Sequence, residues 1–293
     1  MFQTLINGLL IGGVYALIAV GLSMIHGVMK IVNFAQGDFL TVGMYFSFIF
    51  YTLMPKGSLP YWLLIPVAVL MFIFGIIVFR TAIIRVIGKG DSNYILLTLG
   101  LSYLIQNMLQ LIFGPNFRSL DISNELKYSA ITMFEDTMIL SSPRLIAFAG
   151  ALVFVTLVTF FLNRTNMGRA MRATAENTTV AQTLGINVKL VFTIAFSLGT
   201  VFAGVAGLLM TPMFLISPQV GTTFSTIAMC AMVLGGLGNL KGAMLGGIIL
   251  GLVESLSSNY LTMDIAPVVI NTVLMLVLIF RPYGIFGQGA RKA

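Results

Sequence analysis

The chain has 293 residues, of which 58% are hydrophobic and only 9% are charged, whereas soluble domains carry about 25% charged residues. Its net charge is +7, but the basic residues stand at the ends of apolar runs and form no amphipathic surface, which argues against nucleic-acid binding. Because apolar runs near the roughly 20 residues that cross a bilayer recur throughout, the composition excludes a soluble protein and predicts an all-α, polytopic transmembrane helical bundle.

In chain order, the apolar runs predict eight or nine spans within one transmembrane domain covering residues 1–293. The second run is the least regular, because its opening VNFAQGD (32–38) is polar. We expect a broken or re-entrant segment near 31–40, which membrane proteins tolerate only where protein or a watery cavity covers the backbone. The nine predicted spans lie near 5–25, 34–54, 61–80, 93–113, 144–162, 190–210, 222–238, 243–258 and 265–280.

The distribution of Lys and Arg predicts the orientation of these spans, since cytoplasmic loops carry an excess of both. If the C-terminus is cytoplasmic, the inner face holds Lys30, Arg80, Arg85, Lys89, Arg164, Arg169, Arg172, Lys189, Lys241, Arg281, Arg291 and Lys292. The outer face then holds only Lys56, Arg118, Lys127 and Arg144. With nine spans the N-terminus lies outside, as does the polar stretch 114–142, which carries Asp121, Glu125, Glu135 and Asp136.

Small residues recur at four-residue spacing in three of the spans. This spacing lets helix backbones approach closely, so it predicts helix packing in preference to a direct role in a pore. GLLIGGV (8–14) and GAMLGGI (242–248) also share their glycine spacing, which hints at an internal repeat. The predicted packing glycines are Gly8, Gly12, Gly199, Gly207, Gly238, Gly242 and Gly246.

Two carboxylates, Asp38 and Glu254, stand closest to the membrane interior. Ionisable groups within spans are costly and usually face a cavity or the bundle interior. Asn33 and Gln36 beside Asp38 strengthen the case for a functional polar break. We therefore take Asn33, Gln36, Asp38 and Glu254 as candidates for a translocation pathway, while a helix cap or a helix–helix hydrogen bond stays open for either carboxylate.

The sequence lacks the combination of residues that a catalytic site or a metal site requires. There is one His, His26, and one Cys, Cys230, too few for a metal cluster or a Ser-His-Asp triad. GGLGNLKG (235–242) fails the phosphate-loop pattern, because Leu240 precedes Lys241 and Gly242 follows it. We therefore expect no enzyme, no metal site and no nucleotide bound by this chain, and we read 235–242 as a tight cytoplasmic turn.

The longest basic interruption, residues 163–190, predicts two short helices. Met167–Ala175 has Met167, Ala170, Met171 and Thr174 on one face, and Glu176 stands four residues after Arg172, a spacing that allows pairing. Asn177 or Thr178 suits the N-cap of a second helix that Gly185 would end. Exposed apolar faces beside basic side chains would form a docking surface; the alternative is a solvated connector, although connectors between helices are commonly about 2–8 residues long.

Four motifs, in order, resemble the inner-membrane permeases of ATP-driven branched-chain amino acid uptake systems, the LivH/LivM type. They are GLSMIHGVMKIVNFAQGDFLTVGMY (21–45), GRAMRATAENTTVAQTLGINV (168–188), GGLGNLKGAMLGGIILGLVES (235–255) and FRPYGIFG (280–287). The LivH side fits better, because no long N-terminal extension is present. Gln36 stands where many members carry His, and Lys241 where many carry Pro, so the exact substrate stays open.

The resemblance implies a bacterial inner-membrane permease subunit that has no cofactor and no ATPase of its own. Cytoplasmic ATPase subunits would bind ATP and grip residues 163–190 as a coupling loop. A second permease chain of LivM type would complete the pore, and an extracytoplasmic binding protein would deliver the amino acid. The implied coupling residues are Gly168, Arg169, Ala170, Met171, Arg172, Ala175, Glu176, Ala181, Leu184 and Gly185. The alternative function is an ion-coupled secondary transporter, which needs an ionisable or unwound site at the bilayer midplane.

Overall fold

Helices dominate the computed structural model, which describes residues 1–53, 61–120, 130–133, 138–261 and 265–287. The α-helices within these ranges are α1 Phe2–Met29, α2 Gln36–Thr52, α3 Leu64–Thr81, α4 Asp91–Phe113, α5 Ser142–Arg164, α6 Asn166–Glu176, α7 Thr178–Thr183, α8 Val188–Met210, α9 Val220–Gly235, α10 Leu240–Tyr260 and α11 Ala266–Phe280. Single 3-10 turns, Tyr61–Leu63 and Ile83–Arg85, flank α3. The predicted all-α membrane fold is confirmed.

Each predicted span corresponds to one of these helices. α1, α3, α4, α5, α8 and α10 are long and apolar enough to cross a bilayer, and α9 and α11 are shorter apolar helices. With α2, which has 17 residues, they agree with the predicted eight or nine spans. α6 and α7 are the two short helices expected between the spans at 144–162 and 190–210.

The polar stretch between α4 and α5 contains a short hairpin. β1 Ala130–Met133 pairs antiparallel with β2 Met138–Ser141, with Ala130 opposite Ser141. Before it, the backbone of Arg118 pairs with Ile216, and its guanidinium lies over the rings of Phe48 and Phe113. The acidic residues expected on this stretch (Asp121, Glu125, Glu135 and Asp136), together with Lys127 and Lys56, lie outside the described residues, as do Arg291 and Lys292.

The centre of the bundle is formed by α1 and α8. Buried residues make up 89% of the apolar window of α1 and 83% of that of α8, against 17% for α4 and 22% for α5. α1 packs against α10, α8, α9 and α5, whereas α8 packs against α1, α2 and α3. Since α4 and α5 leave most of their apolar side chains outside the chain's own core, they are peripheral helices.

Glycines bring α1 and α10 into backbone contact. A Cβ at Gly8 would lie 2.9 Å from Cβ of Ser255, and one at Gly12 would lie 2.8 Å from Cα of Ile248. Later residues of α1 thus meet earlier residues of α10, so the two helices are antiparallel, and Ser255 Oγ donates to the carbonyl oxygen of Thr4 at 2.7 Å. The two segments that share a glycine spacing meet at Gly12 and Ile248, whereas Gly8 contacts residues 251–255 beyond the second segment.

The second helix begins in the middle of the bundle. The side chain of Gln36, its first residue, reaches the carbonyl oxygen of Gly199 at 3.1 Å. Gly199 is the twelfth of the 23 residues of α8, and the backbones of α2 and α8 also meet further along, at Gly43 and Gly204. The two helices are therefore parallel, and α2 starts at the depth of the midpoint of α8.

A non-helical segment connects the end of α1 to this deep start. Lys30 ends α1 in the left-handed conformation, with φ 58°, and its N–H donates to the carbonyl oxygen of His26. Ile31, Asn33 and Ala35 are buried. The expected broken segment near 31–40 is present: the break covers residues 30–35, and the helix resumes at Gln36.

Candidate functional site

The start of α2 is surrounded by buried polar side chains. Asn33, Gln36 and Asp38 are each at most 1% exposed. Nδ2 of Asn33 donates to Oε1 of Gln36 at 3.2 Å, and Oδ1 of Asn33 accepts from the N–H of Ala35 at 3.2 Å. Three of the four residues proposed from the sequence for a pathway therefore form one cluster, which lies at the helix break.

Ser225 of α9 hydrogen-bonds to both sides of the break, although sequence analysis did not select it. Its Oγ accepts from the N–H of Gly37 at 2.8 Å and donates to the carbonyl oxygen of Phe34 at 3.0 Å. One hydroxyl thus pairs with two backbone groups that the broken helix would leave without partners. Each unpaired backbone group in the membrane would cost on the order of several kcal/mol. A serine 188 residues away in the chain is invisible to local pattern analysis.

The carboxylate of Asp38 is paired with α4. Nε2 of Gln106 donates to Oδ1 of Asp38 at 2.9 Å and to Oγ of Ser102 at 3.0 Å. Asp38 also stands in the first turn of α2, where the helix dipole favours a negative charge. Two interactions therefore stabilise the carboxylate of Asp38 inside the membrane: a hydrogen bond between helices and the dipole of α2.

A groove opens beside this cluster, between α4, α9 and α11. It encloses about 500 Å³ and reaches the backbone break at Phe34. We call it the inner groove; its wall consists of Phe34, Leu99, Ser102, Tyr103, Gln106, Thr222, Ser225, Thr226, Met229, Cys230, Val233, Leu274 and Leu278. It therefore combines the hydrogen-bonding partners of Asp38 and the break with an apolar side.

Glu254 lies apart from the cluster, in a second cavity at the end of the bundle where α1 begins, which the distribution of Lys and Arg predicts to be the outer end. This cavity, the outer vestibule, encloses about 990 Å³ between the first turns of α1, α5, α9 and α11 and the last turns of α10. Its wall is Met1, Gln3, Thr4, Asn7, Ile11, Arg144, Met213, Phe214, Thr223, Thr226, Ile227, Gly251, Glu254, Ser255, Ser258, Asn259, Ala266, Pro267, Ile270 and Asn271.

The two cavities are adjacent along α9 and α11. Thr226 lines both, and Cys230 of the inner groove donates to Oδ1 of Asn271 in the vestibule at 3.6 Å. Thr222, Thr223 and Thr226 are exposed on α9, although hydroxyl groups in a span normally face protein or water in preference to lipid. We call these two adjacent cavities the crevice; the polar cluster at the start of α2 stands beside the inner groove, and Glu254 lines the other cavity.

The loop between α5 and α8 has both predicted short helices, with the expected cap and stop of the second one. Thr165 caps α6 by accepting from the N–H of Gly168 at 3.0 Å. The Asn177 side chain caps α7 through the N–H groups of Thr179 and Val180, and Gly185 follows it with φ 81°. The helices and the stop are therefore those that the sequence predicts.

The expected exposure of the apolar face of α6 is wrong. Met171 and Thr174 are each 1% exposed, and Ala181 of α7 is equally buried; Met167 and Ala170 also pack against the core. The reason is that α6 folds back onto α1 and α8, with Gly168 so close to Leu162 that a Cβ there would overlap its carbonyl group.

The exposed apolar surface of the loop is smaller than the sequence predicts. Val180 is 51% exposed and Leu184 73%, beside the exposed Arg169, Arg172 and Glu176, while Ala175 is half-buried. Arg172 donates to the carbonyl oxygen of Leu162, and no ion pair joins it to Glu176 in the described structure. The exposed part is thus a small apolar patch on α7 with basic groups on α6.

The glycine-rich turn at 235–242 meets the closing motif. The N–H of Ile285 donates to the carbonyl oxygen of Leu234 at 2.8 Å, and Asn239, which caps α10, also donates to the carbonyl oxygen of Phe286 at 3.0 Å. The two motifs recognised separately in the sequence therefore form one structural unit at the end of α9 and the start of α10.

Most of the remaining glycines proposed for packing lie where two backbones approach. A Cβ at Gly242 or Gly246 would overlap a carbonyl of α9, and one at Gly207 would overlap the carbonyl of Leu40 on α2. Gly199 faces Ile25 of α1. Gly238 lies in the turn before α10, with φ 78°, and a Cβ there would lie 3.1 Å from Cα of Gly27.

Comparison with known proteins places these features in context. Residues 4–280 match the family described as branched-chain amino acid transport system, permease component. The chain is 34% identical to the high-affinity branched-chain amino acid transport system permease protein LivH of Escherichia coli, over 98% of this chain and 95% of the relative. It is 32% identical to BraD of Pseudomonas aeruginosa over the same shares and 26% identical to LivM of Escherichia coli over 93% of this chain and 67% of the relative. No solved structure matches.

Proposed function

Because the chain belongs to the branched-chain amino acid transport permease family, we propose that it is the LivH-like subunit of an ATP-driven importer for branched-chain or related apolar amino acids. The match over residues 4–280 carries this proposal. The family consists of transport permeases, and the multi-pass bundle is that of an inner-membrane protein. The C-terminus is cytoplasmic and the N-terminus exterior in this proposal, as the distribution of Lys and Arg predicts.

The crevice along α9 and α11 is our candidate for this chain's part of the translocation pathway. It supplies hydroxyl and amide groups beside apolar walls, and it is bordered by a helix that begins at mid-depth. Transporters commonly place substrate sites near such discontinuous helices. Opening of the crevice to either side in turn would give alternating access, with each state favoured by its own ligands.

The patch formed by Val180, Leu184 and the arginines of α6 is our candidate for the contact with a cytoplasmic ATPase. An exposed apolar side chain of this size contributes about 1.5–3 kcal/mol when it is fully buried at an interface. A solvated connector would have no need to hold Leu184 at 73% exposure beside two capped helices. ATP binds to that partner and not to this chain.

Two further partners complete the proposal. The similarity to both LivH and LivM supports a pair of permease chains, with a LivM-type chain covering the open side of the inner groove. A binding protein would approach the outer ends of the helices, near the vestibule and residues 217–222.

One observation favours the ion-coupled secondary transporter as a second candidate. Asp38 and the helix break lie at the depth of the midpoint of α8, which is where a coupling ion would bind in such a protein. Against this, Asp38 already has Gln106 as a direct partner. The full-length family match outweighs this feature.

Uptake of radiolabelled leucine into proteoliposomes distinguishes the two candidates. We expect uptake only when this chain is reconstituted with a LivM-type chain and ATPase subunits, with MgATP on the ATPase side and binding protein on the other. A protonophore should leave the rate unchanged. Leucine uptake by this chain alone, without ATP and abolished by the protonophore, would establish the secondary transporter instead.

A further inference from the structure

The outer vestibule has the size and position of a ligand site. Its volume of about 990 Å³ lies near the upper end of the roughly 300–1,000 Å³ typical of small-molecule sites. Its wall includes the apolar side chains of Ile11, Met213, Phe214 and Ile227. It also includes amides and hydroxyls from α1 and α10, so the cavity offers both apolar and polar contacts to a ligand.

Glu254 lines this cavity, and within the described residues no ion pair joins its carboxylate to a basic group. The Tyr15 hydroxyl is hydrogen-bonded to its carboxyl group, but the Oε2 atom is buried and has no partner. A buried carboxylate with an unsatisfied oxygen is destabilising unless a cation reaches it. Glu254 lines the cavity, and a ligand ammonium group there offers three N–H donors and a positive charge that would compensate its carboxylate.

Arg144, in the first turn of α5, lines the same cavity. A guanidinium group binds a carboxylate through two parallel hydrogen bonds, which makes arginine the common partner of carboxylate ligands. One cavity thus contains a negative group, a positive group and an apolar wall. A zwitterionic amino acid with an apolar side chain carries the matching three parts.

We propose that the outer vestibule is an amino-acid binding subsite in which Glu254 binds the α-ammonium group and Arg144 the α-carboxylate. The ligand's side chain lies against the apolar wall. This subsite receives the amino acid before it enters the crevice, so the inference rests on the proposed transport function. Glu254 would thus bind the ligand, whereas Asp38 forms a hydrogen bond between two helices.

A single cysteine measures the charge and the occupancy of the cavity directly. Ser258 lies one helical turn after Glu254 and lines the same wall, so residues at these positions are neighbours on the helix surface. The probe is Ser258→Cys in a Cys230→Ser background, in the assembled, detergent-purified complex. The rates of its modification by a cationic and an anionic methanethiosulfonate of similar size are compared.

We expect the cationic reagent to react about tenfold faster or more than the anionic one, because a carboxylate about 6 Å away in a medium of reduced dielectric attracts one and repels the other. Leucine at millimolar concentration should slow both reactions. 4-Methylvaleric acid, which lacks the ammonium group, should protect much less at equal concentration, as should isoamylamine, which lacks the carboxylate.

Glu254→Gln should abolish the rate ratio and the protection, whereas Arg144→Gln should abolish protection and raise the ratio. Tyr15→Phe is the matched control: it removes the hydrogen bond to Glu254 and keeps the charge, so the ratio should persist. Equal rates for both reagents in the Ser258→Cys complex, or equal protection by leucine and 4-methylvaleric acid, would overturn the subsite. If the same complex still takes up leucine with ATP, only the subsite is refuted and the proposed function stands. If it takes up no leucine, the proposed function is refuted as well.

Discussion

Replacing Gly12 by alanine tests whether the contact between α1 and α10 holds the bundle together. The added Cβ would lie 2.8 Å from Cα and 2.9 Å from the carbonyl oxygen of Ile248, and both are backbone atoms. No side-chain rotation can relieve such a contact. The helices must therefore separate by roughly half an ångström to reach ordinary van der Waals distance, and α1 belongs to the buried centre of the bundle.

The expected cost follows from two opposing effects. Overpacking a well-packed interior costs about 1–3 kcal/mol, whereas alanine is favoured over glycine by about 1 kcal/mol within a helix. Gly100 on α4 is the matched control, because a Cβ there meets nothing within 4 Å. Gly100→Ala keeps the gain in helix propensity without the contact, so the two variants should differ by about 1–3 kcal/mol.

The measurement is the apparent Tm of the purified complex, followed as the monodisperse fraction that survives heating. We expect Gly12→Ala to fall below the parent protein and below Gly100→Ala by several degrees, since about 1 kcal/mol corresponds to roughly 2–4 °C for a chain of this size. If Gly12→Ala is as stable as Gly100→Ala, the close approach of α1 and α10 does not stabilise the bundle and our packing argument is wrong.

Three further predictions concern the loop, the helix break and the orientation. Leu184→Asp should reduce ATPase recovery and leucine uptake several-fold at normal membrane abundance, because it buries a charge at the proposed contact, whereas Gln182→Asp should have a smaller effect; equal effects would refute the apolar patch. Ser225→Ala should lower stability by about 1–3 kcal/mol, because it leaves two buried backbone groups unpaired; an unchanged Tm would show that the break is held by other contacts. Of single cysteines at Thr165 and Ser123 in a cysteine-free background, an impermeant thiol reagent should label only Ser123 in intact cells, and the reverse labelling would invert the topology. Ser123 lies outside the described residues.

The elements that the sequence predicts well are those with a local physical cause. Span positions follow from hydrophobic length alone, and each predicted span has its helix. The cap of α7 was predictable too, because Asn177 satisfies N–H groups two and three residues away. The polar residues of VNFAQGD correctly predicted the helix break, since the unpaired backbone of a break needs polar partners nearby.

The parts that sequence reasoning missed depend on contacts between distant residues. Ser225 and Gln106 are unremarkable hydroxyl and amide residues until the fold brings them to the start of α2. The buried face of α6 was misjudged for a related reason: an amphipathic pattern locates an apolar face but does not say whether the chain itself or a partner covers it. Here Gly168 turns that face back onto the chain's own bundle.

The proposed coupling loop and the proposed pathway are connected through α8. This helix begins at Val188, directly after α7, and its midpoint carbonyl at Gly199 holds Gln36 at the start of α2. Gly204 and Gly207 keep α8 in backbone contact with α2 over the next two turns, so the two helices pack too closely to slide independently. A displacement of α7 by a bound ATPase would therefore reach the helix break as movement of α8, and would shift the Ser225 and Gln106 contacts that border the inner groove.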